Sequence, residues 1–160
     1  RPPRSTLFPY TTLFRSVPMF NQILVAIDGS KISERAFHLA LEEARIWKAK
    51  IHVLYVVETG LFSSLPMDNT WEIMYSMLEK EGKEALDSAI REAQEKSVDI
   101  ETHIKSGHAG NEILKVSKEL GVDLVVVGSH GRSEVDRLLL GSVSSFVVTN
   151  STVTVMVVRP

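Results

Sequence analysis

Short continuous apolar runs alternate along the chain with longer stretches in which apolar residues recur every three or four positions. Ile23 to Ile27 is the first run, unbroken in the manner of a strand covered on both faces. Asp28-Gly29-Ser30 ends it, and Ile32, Ala36, Phe37, Ala40, Leu41, Ala44 and Trp47 then mark the buried stripe of a helix over 31–48. A second strand is read at 51–57 from its β-branched and aromatic content, followed by a loop over 58–69 punctuated by Gly60, Ser63, Ser64 and Pro66. A long helix is expected over 70–96, with Met74, Met77, Leu78, Ala85, Ala89 and Ala93 along one face. Gly82 reads as its weak point, at about 1 kcal/mol relative to alanine.

VDIETHIK at 98–105 alternates apolar and polar residues, the pattern of a strand at a sheet margin. Ile113, Leu114, Ser117 and Leu120 line a third helix that Gly121 is placed to stop, and DLVVV at 123–127 is the most uniformly apolar strand. A helix starting near Ser142 and a strand over 152–158 complete the order βαβαβαβαβ. Such alternation calls for a parallel sheet between two helical layers, a three-layer α/β sandwich. The expected strand order is 3-2-1-4-5, which sets the ends of strands one and four side by side where the crossovers diverge and open a crevice. Asp28 and Gly128 would face each other there.

Composition narrows the classes. With 18 basic and 20 acidic residues and no Lys/Arg run, the chain offers no broad footprint for nucleic acid or an anionic membrane. It has no cysteine, so disulfides, thiolate nucleophiles and Cys-ligated metals are excluded, and a cytoplasmic setting is the default expectation. No apolar stretch approaches the roughly 18 residues of a spanning helix. Residues 1–16 (RPPRSTLFPYTTLFRS) lack periodicity and are similar to translated sequencing-adapter sequence. A non-native or disordered leader is therefore expected over 1–18, and one domain over 19–160.

The most informative chemistry is Gly128-Ser129-His130-Gly131, nine residues, then Gly141-Ser142. Glycines at a strand end let backbone N–H groups approach phosphate oxygens, and a helix starting at Ser142 adds unpaired donors and a positive end. Alone these are ordinary turn and cap residues; their place after the most apolar strand and at the crevice makes them an anion site. The P-loop and the GxGxxG pattern are both absent. Arg132 and Arg137 are secondary candidates for neutralising phosphate. His130 reads as a loop residue without catalytic role, and His38, His52, His103 and His108 are scattered over different elements and suggest no ligand set.

ILVAIDGS, VLYVVE, GHAGNEIL, DLVVVGSHGRS, LLLGSVSSFVV and TVMVV together resemble the ATP-binding branch of the universal stress protein family over residues 20 to 159, and the spacing G-x2-G-x9-G-S agrees with its nucleotide signature. The resemblance implies a Rossmann-like sheet of the adenine nucleotide alpha hydrolase type. It further implies that Asp28 engages the ribose side, that backbone around Val56 borders adenine, and that Gly128, Gly131, Gly141, Ser142 and Val143 hold ribose and phosphates. Asp28 reads equally as a turn or helix-capping residue. Ala109 stands where the family often has proline, a departure expected to loosen the loop without touching the phosphate positions.

ATP with Mg or Mn is the ligand expected on this resemblance, in a stress-response regulator with at most slow hydrolysis. Two alternatives stand beside it: a nucleotide-free interaction module of the same family, and a nucleotidyl-transfer enzyme, whose HIGH-like or SGGxDS-like motifs are missing. Val153, Val155 and Val157 fall on one face of the last strand and would form an exposed surface, which the family's homodimers cover through this C-terminal strand.

Overall fold

The computed structural model describes residues 19–62, 69–132 and 140–160. The leader, Arg137 and the middle of the expected loop after strand two lie outside the described residues. The elements are β1 (Gln22–Ile27), α1 (Lys31–Trp47), β2 (Lys50–Glu58), a 3-10 turn at Thr59–Phe62, α2 (Asn69–Glu95), β3 (Ile100–Gly107), α3 (Ala109–Leu120), β4 (Leu124–Gly128), α4 (Ser142–Asn150) and β5 (Thr154–Val158). The five strands form one parallel sheet in the order β3-β2-β1-β4-β5, as the alternation predicts.

Side-chain alternation along the central strands divides the core. Val25, Val53 and Val126 face α1 and α2, where Phe37, Leu41, Leu86 and Ala89 cover them. Leu24, Leu54 and Val125 face the opposite layer of α3 and α4, against Ile113, Val116 and Val147. Both faces are thus sealed, which is why β1 and β4 read as continuous apolar runs.

Where element bounds depart from the sequence reading, a local hydrogen bond explains it. Val98 belongs to the exit of α2 rather than to β3: its N–H donates to Ala93 O at 3.0 Å after Ser97 turns with φ +56°. Ser151 Oγ accepts from Val153 N–H at 3.2 Å, a tight turn that delays β5 to Thr154. Val153, Val155 and Val157 are half-buried against the α3/α4 core, not an open apolar face. What β5 leaves uncovered among the described residues is its outer backbone edge, since it pairs with β4 alone.

Two expectations for α2 are corrected. Met74 and Met77 are 39% and 59% exposed; the buried stripe runs instead through Gly82, Leu86, Ala89 and Ala93. At 27 residues the helix is about 40 Å long and outruns the nine-residue β2, about 30 Å, so its first turns have no sheet beneath them. Gly82 is a packing site rather than a weak point: a Cβ there would lie 2.5 Å from Cδ1 of the Tyr55 ring. The missing side chain lets α2 settle onto β2.

Candidate functional site

β1 and β4 lie side by side at the centre of the sheet, and the chain leaves them toward opposite edges, to β2 from one and to β5 from the other. At the carboxyl ends of these strands lies a cleft of about 610 Å³, at the switch point where such sheets take ligands. Asp28, Val56, Gly128, Gly131, Gly141, Ser142 and Val143, the seven residues singled out from the sequence, all border it.

Each wall has a local cause. Asp28 closes β1 in a tight turn: its Oδ1 accepts from Ser30 N–H at 3.0 Å, and its own N–H donates to Ser33 Oγ at 3.2 Å. Gly29 adopts φ +79°, a left-handed backbone that a side chain disfavours, and Ser30 then caps α1 by accepting from Ser33 N–H. Asp28 is thus the turn residue rather than the helix cap, a role Ser30 takes, and it borders the cleft at the same time. Oδ1 makes the turn, while Oδ2 stands 2.9 Å from where a Gly131 Cβ would be.

The glycine segment is held to α4 by a buried web. Ser129, fully buried, donates its N–H to Val158 O at 2.7 Å, and its carbonyl accepts from Gly141 N–H at 2.7 Å and from Ser144 Oγ at 2.9 Å. Ser144 Oγ also lies 3.0 Å from Gly141 O. These bonds bring the turn after β4 onto the start of α4 although 15 positions separate Ser129 from Ser144. Ser145 N–H, bonded to Gly141 O, is the first donor used inside the helix. The amides of Ser142, Val143 and Ser144 precede it at the cleft, where the helix end carries partial positive charge. Gly128 is required by close approach, since a Cβ would stand 2.8 Å from Ile32 Cγ2.

The apolar side is formed by Ala26, Leu54, Val56, Ile113 and Val127. Val56 is half-buried, both packed on the α3-side core and bordering the cleft.

Three sets of contacts escaped sequence reasoning. Glu58 joins the end of β2 to the start of α3, accepting from Ala109 N–H at 2.8 Å and from Gly60 N–H at 3.1 Å. Proline at 109 would lack the N–H that makes this tie, so alanine fastens the loop it was expected to loosen. Arg132 donates to Asp28 O at 2.7 Å, to Glu81 at 2.7 Å and to the Tyr55 hydroxyl at 3.4 Å, spanning one rim of the cleft. Partial burial opposes its charge, but the Glu81 bond together with Tyr55 and Asp28 outweighs this and holds its pKa above the ordinary value. The Tyr55 hydroxyl is raised chiefly by burial. Ser129 Oγ lies 2.9 Å from His130 Nδ1, but Ser129 is fully buried and does not border the cleft, so this pair presents no nucleophile to a ligand.

Fold and cleft together define a doubly wound α/β domain with a glycine-lined crevice at its switch point. The sequence profile of the universal stress protein family matches residues 19–159, and the chain belongs to that family. It is 34% identical over 141 residues to a universal stress protein of Methanocaldococcus jannaschii, an alignment covering 88% of this chain and 83% of that one. Among solved structures, the universal stress protein UspA of Lactobacillus plantarum superposes with a TM-score of 0.74 at 28% identity, covering 87% of this chain and 97% of its own. A universal stress protein solved in complex with cAMP gives 0.61 at 25% identity, with 88% and 97% covered.

Proposed function

We propose that this chain is an ATP-binding member of its family that acts as a nucleotide-dependent regulator, with at most slow hydrolysis. The observation that carries the reading is the convergence of Gly128, Gly131, Gly141, Ser142 and Val143 on one cleft opposite Asp28. Backbone amides at the start of α4 and in the glycine turn suit phosphate oxygens, and the apolar wall around Val56 suits a base. The relative bound to cAMP supports a nucleotide as the ligand class. A Mg or Mn ion carried on the phosphates fits a hard oxygen donor, and Asp28 supplies one in Oδ2, the oxygen that Ser30 does not use.

A regulatory role is supported by the ties on the polar groups at the cleft: Arg132 is bonded to Glu81, Glu58 to Ala109, and Ser129 is too buried to act as nucleophile. Thermal unfolding with and without ATP and Mg tests it. At ATP a hundredfold above Kd, stabilisation of about 2.7 kcal/mol is expected, a rise in Tm of about 5–10 °C. No shift at millimolar ATP would favour the nucleotide-free module, and rapid multiple turnover the enzyme.

The free edge of β5 supports a homodimer closed by that strand, because an unpaired edge is a template for another copy. Light scattering is expected to give the dimer mass; a monomer at working concentration would exclude this assembly.

A further inference from the structure

We propose that His52, Glu101 and His103 form a binding site for one divalent transition-metal ion of the zinc class, on the β2–β3 margin and apart from the nucleotide cleft. The sequence scatters these residues over two strands, but the parallel register sets His52 opposite Glu101 and Leu54 opposite His103. His103, two residues beyond Glu101, therefore projects on the same face of the sheet, diagonal to His52.

The ligand atoms already cluster. His52 Nδ1 and His103 Nε2 are 3.1 Å apart, with Glu101 Oε2 3.9 Å from the first and Glu101 Oε1 3.8 Å from the second. Ligands about 2.0–2.1 Å from a tetrahedral zinc are roughly 3.3–3.4 Å apart, and one ligand atom from each residue already lies within 4.8 Å of the others, so closure needs a Glu101 oxygen to swing inward by up to about 1.5 Å. Two imidazoles and one carboxylate leave a fourth position open, a donor set that suits zinc, cobalt and nickel better than Mg or Ca.

The surroundings prepare the ligands. Gln22 Oε1 is 2.9 Å from His52 Nε2, so the ring donates its Nε2–H there and presents the Nδ1 lone pair to the site, the outer support that metal-bound histidines have. Without an ion, His103 Nε2–H fills that lone pair; with one, His103 carries its proton on Nδ1 instead. The Lys50 ammonium, 2.7 Å from Glu101, competes with an ion for that carboxylate.

Titration of Zn²⁺ alone into the chelator-stripped full chain, followed by calorimetry, tests the site. One equivalent is expected to bind, with affinity falling at least tenfold in both His103→Gln and Glu101→Gln and about tenfold in Gln22→Ala, a positioning residue. Lys50→Met is expected to tighten binding by freeing Glu101, a change no merely structural role would produce. His103, at 16% exposure against 3% for His52, is the histidine to replace because its loss spares the core. Co²⁺ should give the intense visible absorption of a four-coordinate site in the parent chain and lose it in His103→Gln, with circular dichroism confirming that the variant is folded. Absence of Zn²⁺ binding by the parent chain, or isotherms unchanged by both ligand substitutions, would overturn the proposal.

Discussion

Replacing Gly131 with valine is expected to weaken ATP binding about 100-fold, equivalent to about 2.7 kcal/mol, while leaving the chain folded. Gly131 is not one of the glycines with positive φ, so its backbone accepts a side chain without torsional strain. The cost falls on the cleft. The new Cβ would stand 2.9 Å from Asp28 Oδ2, and the two methyls of valine beyond it would occupy space that the phosphates or ribose need. Calorimetric titration of ATP, paired with thermal unfolding of the variant without ligand, separates lost affinity from lost structure. Unchanged affinity would remove the glycine turn from the binding site.

Gly82→Val should act through the fold. Helix propensity alone makes glycine poorer than valine by only about 0.3 kcal/mol. Contact with Tyr55 reverses the sign, because a Cβ 2.5 Å from one ring carbon and 2.7 Å from the next forces the helix or the tyrosine to move. Destabilisation of about 1–3 kcal/mol is expected, lowering Tm by about 3–10 °C. Tyr55 borders the cleft and receives Arg132 at its hydroxyl, so nucleotide affinity should fall as well. A variant as stable as the parent would show that α2 does not need this close approach.

These two glycines show how far the sequence was legible. The place of Gly131 at the cleft was readable because it follows from local spacing: a strand, a glycine turn and a helix start are neighbours along the chain. Strand order followed from alternation and from crossover rules for the same reason. Gly82 was misread because its partner lies on another element, and helix propensity, the only local cue, points the wrong way. The Glu58–Ala109 tie and the Arg132–Asp28 bond join residues 51 and 104 positions apart, and nothing in their own surroundings announces them. His52 and His103 likewise became neighbours only once the β2–β3 register was fixed. Met74 and Met77 keep the period of a buried stripe where the sheet has already ended, since periodicity carries no information about how long the covering partner is.

The central claim is that main-chain amides of the glycine turn and of the first turn of α4 receive the phosphates of ATP. An ATP titration of the ¹⁵N-labelled chain followed by amide correlation spectra reads those amides directly. Large shifts are expected at Gly131, Gly141, Ser142 and Val143, with the β3 amides little changed. Saturable shifts confined to other parts of the chain, or none at millimolar ATP, would contradict the account.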